Sequence, residues 1–89
     1  MNTETAEFDR KLRSILDLKA SETEKLARAF ALVTGRIIEG ARRDIELAQA
    51  LGDMELKVKH QIKMETIETA RQIFQMCHRR VTGRSAWDE

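Results

Sequence analysis

The chain has no proline in its 89 residues, and two long helical patterns meet at one turn signal, Leu51-Gly52-Asp53. Apolar residues recur at spacings of three and four on both sides of this turn, which is the repeat of one helix face. Gly52 can adopt the left-handed conformation that ends a helix, and Asp53 can cap the next helix. The pattern therefore predicts an all-α fold built on a long antiparallel helical hairpin.

A shorter helix is expected before the hairpin. Phe8, Leu12 and Ile15 share one helical face, and Ser21 followed by Glu24 has the form of a capping box, which marks a new helix start. A single helix that continues through Ser21 is the competing interpretation. We predict one domain over residues 1–89, with helices at about 5–18, 22–51 and 54–82 and a tail at 83–89.

One apolar stripe on each long helix defines the expected contact of the hairpin. The stripe of the second helix is Leu26, Phe30, Val33, Ile37, Ala41, Ile45 and Ala48, and that of the third is Met64, Ile67, Ala70, Phe74, Cys77 and Val81. Folding back at Gly52 brings Phe30 to Phe74, and the agreement of the two stripes favours the hairpin. Gly35 and Gly40 lie inside the second helix and predict the close approach of another helix or a local bend.

The short first helix, about 20 Å long, can cover only about half of the hairpin, at its open end. The apolar residues left uncovered near the turn are Leu47, Leu51, Met54, Leu56, Val58 and Ile62. Uncovered apolar surface of this kind usually marks a protein interface. We therefore expect a homodimeric helical bundle, or a different protein bound at this end.

The net charge is only +1, which excludes a general attraction to polyanions, although bases outnumber acids on the long helices. Four basic residues near the turn are expected to rim the interface or to contact nucleic acid: Arg42, Arg43, Lys59 and Lys63. A second candidate surface is formed by Arg79, Arg80 and Trp87 at the open end. Tryptophan is enriched at binding hot spots, so Trp87 is expected either to fold back near Phe8 and Leu12 or to bind a partner.

Cysteine and histidine usage argues against a reactive centre. A single cysteine, Cys77, excludes an internal disulfide and indicates a reducing, cytoplasmic setting. Cys77, His78 and His60 lack the spacing of a metal site, so we interpret them as a buried thiol beside two surface histidines. We predict no catalytic, cofactor-binding or metal-binding residues. No apolar run has the length of a membrane span.

Arg71 and His78 lie two turns apart on one face of the third helix, with six residues between them. This pair resembles the Arg-x4–6-His motif of the HEPN family of helical ribonucleases and nucleotide-binding proteins. In that family the arginine and histidine of two protomers meet to act on RNA. The resemblance implies that Arg71 and His78 could serve a ribonuclease site.

The favoured hypothesis is a small, non-enzymatic cytoplasmic protein that binds another protein through a helical face, as a regulator, inhibitor or adaptor. The layout is similar in outline to that of bacterial antiactivators and plasmid copy-control hairpins, a likeness of architecture that assigns no residue. Nucleic-acid binding by the basic faces of the long helices is the alternative. A HEPN-like ribonuclease is the second alternative.

Overall fold

The computed structural model describes residues 3–87, which form three α-helices. Helix α1 spans Thr3–Leu16, α2 spans Glu22–Ala50 and α3 spans Met54–Thr82. The expected all-α fold, with a short helix before a long hairpin, is confirmed. Helix α1 begins and ends two residues earlier than the pattern indicated. The last two residues of the predicted tail, 88–89, lie outside the described range.

The ends of the long helices are fixed by the residues that the sequence pattern assigned to them. The Ser21 side chain accepts a hydrogen bond from the Glu24 amide at 3.2 Å, so a new helix begins there. Asp53 accepts from the Leu56 amide at 3.0 Å and caps α3. Between the two helices, Gly52 has a φ of 72° and makes the left-handed turn that reverses the chain.

Gly52→Ala is expected to lower the free energy of unfolding by about 1 kcal/mol, because a Cβ disfavours the left-handed conformation. Gly52→Asn should cost less, since asparagine adopts this conformation more readily. Urea denaturation of the three proteins at one concentration measures both effects. Equal stability of all three would show that the turn does not depend on the positive φ of Gly52.

The three helices lie side by side in one layer, with α2 in the middle. Helices α1 and α3 each pack against α2, and within residues 3–87 they do not pack against each other. The Cα positions extend over 47 × 34 × 15 Å, and their radius of gyration is 15.5 Å, against about 12 Å for a compact domain of this length. Stable domains usually bury their apolar faces between two layers, so a single layer leaves a face of α2 without cover.

Helix α2 contacts α3 through a row of mostly small residues, which we call the inner stripe. Its members are Ala27, Ala31, Thr34, Ile38, Ala41, Ile45 and Ala48, separated alternately by four and three residues. Ala27, Ala41 and Ala48 are at most 1% exposed. Small side chains allow two helix backbones to approach closely, so the inner stripe is the true core of the hairpin.

The predicted stripe of α2 was wrong at Leu26 and Val33, whereas Phe30 contacts α3 as predicted. Leu26 is 60% exposed and Val33 is 39% exposed, whereas the neighbouring Ala27 and Thr34 are buried. The predicted stripe joined residues of two faces. From Leu26 to Ile37 it contained the larger apolar side chains, and from Ala41 onwards it contained residues of the buried face. Leu26 and Val33 are exposed because, within residues 3–87, no helix packs against that face of the layer.

The stripe predicted for α3 was wrong at its C-terminal end. Cys77 is exposed and Val81 is 80% exposed. The residues that face α2 include polar ones, since Arg71 donates to the Ala31 carbonyl at 3.4 Å. No residue of α3 is fully buried. The contact surface of α3 therefore combines apolar residues with the polar side chain of Arg71.

Helix α1 runs antiparallel to α2 on the side away from α3. Three cationic side chains of α2 hold it along its length: Lys25 donates to the Leu16 carbonyl at 2.9 Å, the Arg36 guanidinium lies 4.4 Å from the centroid of the Phe8 ring, and Arg43 lies 4.0 Å from the Glu4 carboxylate. These contacts end at Arg43, so the part of α2 near the turn extends beyond α1.

The two glycines inside α2 have different surroundings. A Cβ on Gly35 would lie 3.3 Å from the Arg71 Nη1 atom, so this glycine makes room for a side chain that crosses from α3. A Cβ on Gly40 would meet nothing within 4 Å. Of the two predicted explanations, close approach or a local bend, a close approach by a side chain of α3 is found at Gly35, and within the described chain Gly40 faces open space.

Candidate interaction surface

A second row of residues on α2 lies one position from the inner stripe, and its members are half-buried or exposed. This outer stripe consists of Leu26, Phe30, Val33, Ile37, Gly40, Asp44, Leu47 and Leu51, again separated alternately by four and three residues. Leu26, Leu47 and Leu51 are 59–71% exposed. Alternating spacings of three and four are those of a coiled-coil helix that faces another helix. At about 1.5 Å per residue the stripe is about 37 Å long.

The outer stripe lies on one face of the layer, between the sides of α2 that α1 and α3 occupy. Successive residues of a helix turn by about 100°, which places the stripe beside the inner stripe and away from the polar contacts of α1. The opposite face carries a polar groove between α2 and α3, lined by Gly35, Ile38, Glu39, Arg42, Glu68, Arg71 and Gln72. The layer thus has one apolar face and one polar face.

The six apolar residues predicted near the turn are all exposed, by 38–71%, but they belong to more than one surface. Leu47 and Leu51 are the end of the outer stripe. Met54, Val58 and Ile62 are four residues apart and point away from α2, on the outer side of α3. Ile62 and Ile73 help to line a shallow apolar depression on that side.

The four basic residues predicted to rim this surface are exposed and are spread over the layer. Arg42 lines the polar groove beside Glu39 and Glu68, on the face opposite the outer stripe. Arg43 pairs with Glu4 on α1, with both side chains more than 60% exposed. Acidic groups therefore accompany the arginines of α2, and a continuous basic rim is not formed by Arg42 and Arg43.

An aromatic cluster closes the open end of the hairpin. The rings of Phe30 and Phe74 stack with centroids 4.3 Å apart, which confirms the predicted contact. Trp87 stacks on Phe74 at 5.7 Å and lies 6.3 Å from Phe30. The tryptophan thus folds back, but the prediction that it would cover Phe8 and Leu12 was wrong, since it packs on the hairpin.

The tail that carries Trp87 is held by polar side chains of α3. Gln75 donates to the Trp87 carbonyl at 3.2 Å and accepts a hydrogen bond from the Ala86 amide. Arg79 donates to the Ser85 hydroxyl at 2.9 Å. Of the second predicted surface, Trp87 and Arg79 therefore take part in this tail contact, and Arg79 and Arg80 are both exposed.

Arg71 and His78, the pair that resembles a ribonuclease motif, flank the aromatic cluster. The Arg71 guanidinium lies 5.1 Å from the centroid of Trp87 and also reaches the Ala31 carbonyl. The His78 ring lies 6.1 Å from Phe74, and its Nδ1 atom donates to the Arg84 carbonyl at 3.1 Å. Both side chains are half-buried and contact their own chain, an arrangement that supports a structural role.

Cys77 and the two histidines have the reverse of their expected exposure. Cys77 is exposed, whereas His60 and His78 are half-buried. His60 lies 3.8 Å from the Asp44 carboxylate across the hairpin. Within residues 3–87, histidine, cysteine and carboxylate side chains form no group that could hold a metal ion.

None of the helices in the described part of the chain is long and apolar enough to cross a membrane. Comparison with protein families, curated proteins and solved structures finds no match to this chain. Its function must therefore be argued from its own surfaces.

Proposed function

We propose that this chain is a helical interaction module that binds another protein through the apolar face of its layer. It would act as a regulator, inhibitor or adaptor of that protein rather than as an enzyme. The observation that carries this proposal is the outer stripe of α2, which has coiled-coil spacing and in which Leu26, Val33, Leu47 and Leu51 are 39–71% exposed. A monomeric protein rarely leaves such a continuous apolar surface uncovered.

The shape of the molecule supports binding to a helix or a helical surface. The Cα positions extend over 47 × 34 Å across the layer and 15 Å through it, so the layer offers a broad face. A heptad stripe accepts side chains from a facing helix into the spaces between its own. The exposed Cys77 agrees with a reducing, cytoplasmic setting. Nucleic-acid binding and a HEPN-like ribonuclease stay as alternative hypotheses, for which the mixed charges of α2 and the inward contacts of Arg71 and His78 give no added support.

The proposal predicts that Val33→Glu abolishes capture of a partner protein. Val33 is 39% exposed in the middle of the outer stripe, so glutamate there is tolerated by the free chain but would be buried in a complex without a partner charge. We expect at least about a tenfold loss of binding. The measurement is affinity capture from cells of the source organism, with mass spectrometry and quantification of each retained protein.

Arg42→Glu is the matched control, because it introduces the same side chain into α2 on the opposite, polar face. It should retain the same proteins as the unmodified chain, and circular dichroism should show equal helix content in both variants. Equal capture by Val33→Glu would place the functional surface elsewhere. Nucleic acid that is retained by the unmodified chain and lost on Arg42→Glu would favour the nucleic-acid alternative.

A further inference from the structure

We propose that a second copy of this chain covers the apolar face, with the α2 helices of the two copies packed antiparallel along their outer stripes. This inference rests on the proposed function only in using the same apolar face, and a different protein would bind there by displacing the second copy. A twofold dimer of this kind would turn two single layers into one two-layer bundle, the arrangement that domains normally need to bury apolar surface.

The exposed area of the chain is sufficient for such a dimer. The accessible surface is 6789 Å², whereas a folded monomer of 10.3 kDa is expected to expose about 5,400 Å². The excess of about 1,400 Å² is larger than the roughly 800 Å² that each partner buries in a standard interface. The excess accessible surface of this chain is therefore large enough to supply the area that each partner buries in a stable dimer.

The outer stripe is complementary to itself when it is reversed. In an antiparallel coiled coil, each a position of one helix lies opposite a d position of the other. A twofold axis at the midpoint of the stripe, between Ile38 and Glu39, produces this pairing for every residue of the stripe. The pairs across the axis are Leu26 with Leu51, Phe30 with Leu47, Val33 with Asp44 and Ile37 with Gly40. Apolar residues thus meet apolar residues at both ends of the stripe.

Gly40 acquires a role in this arrangement. A glycine inside a helix is unfavourable relative to alanine, and within the described chain nothing approaches the position of its missing Cβ within 4 Å. In the antiparallel pair, Ile37 of one copy projects into the space over Gly40 of the other. The glycine therefore fits a contact that the single chain does not contain.

The charge within the stripe selects the antiparallel direction. A parallel pair would place Asp44 opposite Asp44 and Gly40 opposite Gly40, which sets like charges together beside an unfilled gap. The antiparallel pair places each Asp44 beside Val33 of the other copy. Within each copy, His60 lies 3.8 Å from the Asp44 carboxylate. Only the antiparallel direction keeps the two carboxylates apart.

The test begins with the purified full chain in sedimentation velocity over a range of protein concentrations. We expect a species of twice the chain mass of 10.3 kDa. Gly40→Leu should raise the dissociation constant by more than about tenfold, because the leucine occupies the space of Ile37, while the chain stays helical. Gly35→Ala, a glycine substitution on the polar face of the same helix, should leave the dissociation constant unchanged.

Site-specific cross-linking then determines whether the two α2 helices pack parallel or antiparallel. In a Cys77→Ser background, Leu26→Cys and Leu51→Cys are prepared separately, and each is treated with a short bismaleimide alone and after mixing. The antiparallel pair predicts cross-linking only in the mixture, since identical positions would be about 37 Å apart. Cross-linking of each variant alone would establish a parallel pair and overturn the proposal.

A monomer at all concentrations would also overturn the second-copy proposal, and it would leave the proposed function standing if Val33→Glu still abolishes capture of a different protein. A dimer that Gly40→Leu does not weaken would place the contact on another surface and would equally refute it. An antiparallel dimer that captures nothing from cells would instead support the second copy and contradict the proposed function.

Discussion

Replacing Phe74 with alanine is expected to lower the free energy of unfolding by about 3 kcal/mol, a large fraction of the stability of a small domain. Phe74 stacks on Phe30 at 4.3 Å and on Trp87 at 5.7 Å, so the change removes a ring that joins α2, α3 and the tail. Urea denaturation followed by circular dichroism measures the loss. Because self-association would add to stability, all variants are compared at one protein concentration.

Phe74→Leu separates the loss of apolar volume from the loss of the stacked ring. Leucine fills much of the same space, and we expect it to cost about 1 kcal/mol, the scale of a single aromatic pair. The emission of Trp87 should shift to longer wavelength in Phe74→Ala as water reaches the indole. If Phe74→Ala changed stability by less than about 0.5 kcal/mol, which is usual for a surface site, the cluster would not anchor the open end.

Ala48→Leu is expected to lower the free energy of unfolding by about 2–3 kcal/mol, because a larger side chain forces a close-packed contact apart. Ala48 is 0% exposed, on the inner stripe near the turn. The measurement is the midpoint of thermal unfolding together with the urea curve. The result would show that the separation of α2 and α3 is set by the volume of the inner stripe.

Ala50→Leu provides the matched control, since Ala50 is exposed at the end of the same helix. The same change there should alter stability by less than about 0.5 kcal/mol. Equal losses at Ala48 and Ala50 would indicate a general effect on α2 rather than crowding at the inner stripe. A gain in stability from Ala48→Leu would mean that the contact is underpacked and that the helices are held mainly by their longer side chains.

The hairpin could be predicted from local signals because those signals act within a few residues. Gly52, Asp53 and Ser21 determine where helices start and stop through backbone conformation and capping, which do not depend on distant parts of the chain. The contact of Phe30 with Phe74 then follows from the length of the helices on either side of the turn.

The choice between the two faces of α2 could not be made from periodicity. Both stripes have the same spacing, and the exposed one carries the larger apolar residues, such as Leu26 and Val33. Hydrophobicity therefore favoured the wrong stripe, whereas the close approach of α3 selected the alanines. On α3, inward-facing His60 and Arg71 weakened the amphipathic pattern, and Cys77 was assigned to the wrong side.

The candidate surface was identified only in part for a related reason. Leu47 and Leu51 were expected to be uncovered, and both are exposed. Leu26 and Val33 were missed because they had been assigned to the core. In the structure, α1 and α3 lie on opposite sides of α2. The residue pattern of one helix does not indicate which neighbouring helix packs on which of its faces.

The one-residue offset between the stripes gives α2 two possible rotational settings about its own axis. A rotation of about 100° would turn the outer stripe towards α3 and preserve every spacing, so periodicity alone does not distinguish the two settings. In the rotated state, however, Leu26, Val33 and Leu47 would have to fit where Ala27, Thr34 and Ala48 lie against α3. The small residues exclude that alternative by steric volume, and enlarging them would leave the helix with two competing orientations.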